Sequence, residues 1–267
     1  MLGRAARIAG FEGAITMDWD FVLALLPFVA AGFAAQLIDG ALGMAFGVIS
    51  TTLLISLGMP PAAASAGVHT VETFTTGTSG ISHILHKNVD WKLFGRVAIP
   101  GMVGGVLGAY VLSSIDAAVV KPFVLAYLAV IGALLLWRGL NHPPHHVPPR
   151  VVAPLGLAGG FLDAAGGGGW GPIVTGNLLA QGSEPRRTIG TVNTAEFLVT
   201  ATISATFIVT LGWEAFTAAT LGLLIGGVVA APFGARIAAR VNGMWLLTAV
   251  GVLLIVTSLY GIYRALA

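Results

Sequence analysis

Eight apolar stretches follow one another through the chain, at residues 21–37, 41–57, 62–85, 93–113, 122–137, 188–211, 215–235 and 244–263. About 20 apolar residues in a helix cross the hydrocarbon core of a bilayer, so little chain is left for anything outside one. Charge agrees: 9% of the 267 residues are charged and 56% are hydrophobic, against roughly 25% charged in an ordinary soluble domain. The sequence therefore predicts an all-α polytopic membrane protein. The 37 glycines and 13 prolines would signal disorder in a polar chain; in an apolar one they signal close helix packing and broken helices.

The same reading excludes several functions. There is no cysteine, which removes disulfides, thiolate nucleophiles and thiolate metal sites. The net charge of +2 comes from basic residues in short loops between the stretches, where membrane orientation accounts for them, so nucleic acid is not an expected partner. Arg4 and Arg7 are followed by Glu12, Asp18 and Asp20. That is a poor match to a cleaved signal peptide, and the first segment is expected to be retained.

The chain also repeats itself. Shifted by 124 positions, Gly32–Asp39 falls on Gly156–Asp163 without a gap, and the register carries on: Gly43 meets Gly167, Thr51 meets Thr175, Pro61 meets Pro185, Thr70 meets Thr194 and Glu72 meets Glu196. Further on, the offset is read as 122, with Trp91 on Trp213 and Gly104-Gly105 on Gly226-Gly227. Self-similarity of this kind marks a duplicated structural unit. It divides the chain into a first repeat over 1–140, a Pro/His-rich linker over 141–150 and a second repeat over 151–267. His142, His145 and His146 read as part of that solvated linker rather than as metal ligands.

Length sets the shape of each repeat. As one helix, residues 20–57 would run about 57 Å at 1.5 Å per residue, so the segment must fold back, with its break expected at Asp39-Gly40. The matching segment, 151–182, has apolar arms of about a dozen residues around Asp163–Gly169, too short for full spans, and reads as a re-entrant hairpin. A hairpin followed by three crossings inverts the second repeat relative to the first, giving about eight membrane segments. Loop charge favours this: nine basic residues fall on one side and four on the other, against eight and five if each hairpin counts as a crossing. The nine would face the cytoplasm and both termini the outside. Trp91 and Trp213 read as interfacial anchors, and Glu184, Arg186 and Arg187 as topology determinants.

Inverted repeats with broken helices are the pattern of secondary transporters, which hold substrate near the midplane against helix ends that favour anions. Gly40 and Gly43 in one hairpin and Gly167, Gly168 and Gly169, with Trp170 beside them, in the other are the candidate substrate-binding backbone. Asp39 and Asp163 each read either as a cap on the arm that follows or as a protonatable coupling group. A second constellation is His69-Thr70-Val71-Glu72 and its match Asn193-Thr194-Ala195-Glu196. Three residues apart on a helix, His69 and Glu72 share a face, as do Asn193 and Glu196. An ionisable residue inside an apolar span is by default functional: Glu72 and Glu196 are read as proton-coupling groups, and His69, Thr70, Asn193 and Thr194 as hydrogen-bonding partners of substrate. The bland alternative is that His69 and Glu72 pair only with each other. No buried lysine or arginine is evident to balance an anion, so amides, hydroxyls and His69 would have to hold it.

The segments Gly32–Gly58 and Gly156–Gly182, each a break followed by a Gly-x-x-Pro turn (Gly58–Pro61, Gly182–Pro185), resemble the sulfite exporter TauE/SafE family, and the likeness covers nearly the whole chain. The resemblance implies a bacterial inner-membrane permease for sulfite, an organosulfonate or another small sulfur-containing anion; the carboxylates make protons the expected coupling ion, and no cofactor or bound metal is expected. An assembly of two copies is compatible with it. Ala41, Met44, Ala45 and Phe46 stand where glycines are usual in the family, which ranks the second hairpin first as the substrate site. A passive anion channel and an intramembrane enzyme with His69 as acid or base beside Glu72 or Asp163 are the competing readings; a duplicated site without a nucleophile argues against the enzyme.

Overall fold

The structure is a computed structural model that describes residues 19–42, 44–141, 150–181, 183–212, 218–238 and 243–266. Among these residues every regular element is helical. A helix, a break and a second helix (α1, Trp19–Leu42; α2, Phe46–Ser56) are followed by three long helices, α3 (Pro61–Leu85), α4 (Trp91–Ser114) and α5 (Ala117–Asn141). After the linker the order recurs: α6 (Ala153–Gly166), a π-helical turn (Gly171–Thr175) running into α7 (Gly176–Ala180), then α8 (Pro185–Leu211), α9 (Ala218–Ala238) and α10 (Gly243–Leu266). By length and apolarity α4 and residues 186–211 of α8 pass the test for crossing a membrane, and shorter apolar helices run within α1, α2, α5 and α9.

The helix starts follow from local chemistry. The Asp90 carboxylate accepts the Lys92 and Leu93 N–H groups at 2.9 and 3.1 Å and opens α4. Glu184 does the same for Arg186 and Arg187 at the head of α8, so its role is a helix cap besides any effect on topology. Pro61 and Pro185 occupy the first helical position, where no N–H is needed. Trp91 is exposed and meets Phe94 edge-on. Trp213 and the linker histidines lie outside the described residues.

Polarity is distributed as lipid demands. Gln36, His69, Glu72, Asp163, Asn193 and Glu196 are buried, whereas Leu85, Trp245 and Val209 are 76, 74 and 86% exposed. In water such a surface would be a liability; against lipid it is the favourable arrangement.

The helices associate in four main pairs: α1 along α9, α6 along α4, α3 against α8, and α5 against α10. Glycines set the closest approaches. A Cβ on Gly32 would come within 2.8 Å of the Leu223 Cα, and one on Gly156 within 2.6 Å of the Val97 carbonyl oxygen. Gly101 faces the Trp170 ring and Val199; Gly227 faces Phe46 and Thr75. These surroundings match at an offset of 124 for Phe46/Trp170 and Thr75/Val199, but of 126 for Gly101/Gly227 and Val97/Leu223. The expected offset of 122 is thereby corrected: α8 is 27 residues long against 25 for α3, so the second half gains two residues there. The pairing of Gly104-Gly105 with Gly226-Gly227 was a chance match in a glycine-rich chain.

The two breaks differ from expectation in one detail and from each other in another. Asp39 lies inside α1, which continues to Leu42, and Gly166 closes α6, so each break falls a few residues after its aspartate. The first arm, α1, has 24 residues, or about 36 Å, against 14 in α6; only the second hairpin has two short arms.

Candidate functional site

Asp39 and Asp163 act in the same way. Seven residues beyond each, the first amide of the returning arm donates to its Oδ1: Phe46 N–H to Asp39 at 3.4 Å and Trp170 N–H to Asp163 at 2.9 Å. Each carboxylate thus caps the arm that follows, from a position inside the arm before. Phe46 and Trp170 are then driven fully inward, and the Trp170 indole N–H donates to the Val192 carbonyl on α8 at 3.2 Å.

The returning arms touch each other. Thr51 of α2 donates its hydroxyl to the Gly167 carbonyl, and a Cβ on Gly168 would collide with the backbone of Gly47 and Val48. Gly167 and Gly168 have φ of 70° and 145°, which glycine adopts at little cost. At the position matching Gly169, Ala45 holds φ 123°, a region a residue with a Cβ occupies only under strain. The amides of Gly167 and Gly168 both donate to the Asp163 carbonyl. Together with the Trp170 amide they are engaged within the hairpin. Gly40 is buried at the end of α1, and Gly43 lies outside the described residues.

Against this double tip stands the polar stripe of α3. His69 is fully buried. Its Nδ1 lies 2.7 Å from the Ser65 carbonyl oxygen, which only accepts, so Nδ1 carries hydrogen. The Ser65 hydroxyl donates to the Ala164 carbonyl at 2.8 Å. On the other side, His69 Nε2 is 3.0 Å from Asp163 Oδ2 and 3.9 Å from Glu72 Oε2. With Nδ1–H fixed, a proton must sit on either Nε2 or Oδ2 for that 3.0 Å contact to be a hydrogen bond. The pairing expected from i,i+3 spacing, His69 with Glu72, is secondary; the principal partner is Asp163, on the other half of the chain.

Glu72 Oε1 lies against Gly47, where an added Cβ would come within 2.7 Å of it, and its Oε2 is buried without a hydrogen-bond partner, as is Glu196 Oε2. Glu196 interacts electrostatically with Asp39, Glu72 and Asp163, so all four acids share one buried region. Asn193, which holds the position of His69 in the second half, has neither Nδ2 nor Oδ1 bonded. The threonines behave differently from the donors expected of them. Thr70 bonds to the Ala66 carbonyl at 2.9 Å and Thr194 to Gly190 at 2.7 Å, the back-bonding typical of threonine inside helices. Their hydrogens are taken, and only their lone pairs face outward; Thr70 also meets Ser204 at 3.5 Å.

Three contributors escape a sequence reading. Gln36, three residues before Asp39, is buried with both amide atoms unbonded. Tyr127, on α5, puts an unbonded hydroxyl against Gly169. Ser65 orients His69. Of these, only Ser65 carried a signal, standing four residues before His69 on the same helix face.

Comparison with known proteins bears on what such a site belongs to. The family model for "Sulfite exporter TauE/SafE" matches residues 28–261. The chain is 44% identical over 220 residues to the "Probable membrane transporter protein YtnM" of Bacillus subtilis (strain 168), covering 79% of this chain and 73% of that protein. No solved structure matches. A helical bundle with a lipid-facing exterior and a duplicated polar interior, matched over most of its length by that family, is a multi-pass membrane transporter rather than an enzyme: the chain belongs to the sulfite exporter TauE/SafE family.

Proposed function

We propose that the protein is a secondary permease of the bacterial inner membrane for a small sulfur-containing anion, sulfite or an organosulfonate, driven by protons through alternating access. The observation that carries this reading is the gathering of four carboxylates from matched positions, Asp39 with Asp163 and Glu72 with Glu196, into one buried region beside a single histidine. No lysine or arginine is buried among the residues whose side chains are described. Such a region repels an anion unless protons accompany it, which ties binding to proton uptake.

The domain reading supports a mechanism. Residues 1–140 and 151–267 are taken as inverted repeats, each a hairpin followed by three spans. The exchange of partners, α1 with α9 and α6 with α4, is what a pseudo-twofold axis between them would produce. Substrate is placed between the tips (Gly40, Gly43, Gly167, Gly168, Gly169, Trp170) and the stripes carrying His69, Thr70, Asn193 and Thr194. Gly169, whose amide donates to nothing among the described residues, and Asn193, whose side-chain amide is unbonded, offer the donors.

The test is flux of sulfite, sulfate, thiosulfate, sulfoacetate and taurine into proteoliposomes with and without a pH gradient. One sulfur anion should be accumulated against its gradient, and Glu72→Gln and Glu196→Gln should each abolish accumulation while leaving exchange of substrate measurable. Gradient-independent flux that survives both substitutions would identify a passive anion channel instead.

A further inference from the structure

We propose that His69, Glu72 and Asp163 form a binding site for one divalent transition cation of the Zn2+ class, in exchange with the proton held between His69 and Asp163. The proposal goes beyond the permease reading and does not depend on which anion is carried.

One atom from each of the three side chains converges: His69 Nε2, Glu72 Oε2 and Asp163 Oδ2 lie within 4.8 Å of one another, and all three residues are buried. What distinguishes them from an ordinary cluster of acids is how their other atoms are held. His69 Nδ1–H is committed to the Ser65 carbonyl at 2.7 Å. Asp163 Oδ1 receives the Trp170 amide at 2.9 Å, and Glu72 Oε1 is packed against the Gly47 backbone. Metal-ligating side chains are characteristically fixed in this way: the outer atom is bonded to backbone, which sets the histidine tautomer and aims the inner lone pair at the ion. The second observation is Glu72 Oε2 itself. It is buried, has no partner, and points to within 3.9 Å of the histidine nitrogen.

Ligand chemistry selects the class of ion. One imidazole nitrogen and two carboxylate oxygens suit a borderline-soft divalent metal. Na+, Mg2+ and Ca2+ prefer a shell of oxygens and waters. Zn2+ binds such atoms at about 2.0–2.2 Å, and a turn of the Glu72 carboxylate closes the 3.9 Å gap. Two carboxylates and a divalent ion are together neutral, which offsets the burial of both acids. Asp39, Glu196 and the Tyr127 hydroxyl face the same region from α1, α8 and α5; the two acids can add negative charge and the neutral phenol a lone pair, but there is no histidine among them. At the matched place in the second half stands Asn193, a weak ligand for such metals, so the site is built once and not twice.

So that no signal can come from the linker histidines, the test uses full-length protein carrying His142→Ala, His145→Ala and His146→Ala, titrated in detergent with ZnCl2 and, separately, CoCl2. One equivalent of Zn2+ should bind saturably, raise the unfolding temperature and release about one proton per ion. X-ray absorption should show a single imidazole nitrogen among oxygens at about 2.0–2.2 Å. His69→Gln and Asp163→Asn should each weaken binding at least tenfold. If those variants do not fold, the cobalt and X-ray absorption spectra of the parent decide alone. Absence of saturable binding, a shell with two or more imidazoles, or affinity unmoved by His69→Gln would overturn the proposal.

Discussion

The two halves of the molecule share their scaffold and differ in their chemistry. Both aspartates cap an arm seven residues on, and both tips bury an aromatic ring against a glycine, Phe46 on Gly227 and Trp170 on Gly101. Where the first half has His69, bonded on both ring nitrogens, the second has Asn193, bonded on neither side-chain atom. Where the second hairpin has Gly169, the first has Ala45 at a positive φ. Packing constrains both copies alike because each must close the same helix crossings. The polar positions are under no such constraint, and they differ.

The comparison breaks first on function. If the His69–Asp163 pair is the working half, His69→Asn, which makes the first stripe resemble the second, should lower gradient-driven flux at least tenfold. Asn193→His should change it by less than threefold. Equal losses from the two substitutions in the proteoliposome assay would mean that both halves work alike.

Packing offers a second, smaller contrast. A Cβ at Gly101 would lie 2.6 Å from the Trp170 ring and 2.9 Å from Val199, whereas one at Gly227 would lie 2.9 Å from Thr75 and 3.3 Å from Phe46. Gly101→Ala should therefore destabilise by about 1–3 kcal/mol, as overpacking does, and Gly227→Ala by about 1 kcal/mol or less. Denaturation in detergent reads the difference, and the reverse order would sink the claim that the Trp170 side is the tighter.

The smallest effect is expected at the tips. Ala45→Gly should stabilise by about 1 kcal/mol by releasing backbone strain. The matched change in the other direction, Gly169→Ala, should destabilise, because its Cβ would meet the Tyr127 hydroxyl. A destabilising Ala45→Gly would show that the alanine's own contacts outweigh its φ.

Much of this was legible in the sequence, and the failures have physical causes. The apolar stretches and the 124-residue register located the hairpins and the charged stripes, since an ionisable residue in a span stands out wherever it falls. The histidine's partner was left between two residues: helical spacing points to Glu72, three residues away, while Asp163, the other candidate, arrives only when the second hairpin folds against α3. The threonines misled because their composition suggests donors, and helix geometry hands their hydrogens to carbonyls one turn back. Gln36 and Tyr127 sit in apolar runs with no repeat partner of their own kind, so pattern gave no reason to single them out. Glycines, frequent enough to align by accident, misplaced the register of α9 by four residues.

The exchanged pairing of helices also has a consequence for biogenesis. The partner of α1 is α9, roughly 175 residues later in the chain, and ribosomes add about 5–20 residues per second. For on the order of ten seconds or more the newborn first segment, with Gln36 and Asp39 on it, waits in the membrane for a neighbour that has not yet been made. Whatever shelters it in that interval, the translocation machinery or an interim contact with α2 and α3, is part of how this protein reaches its native state.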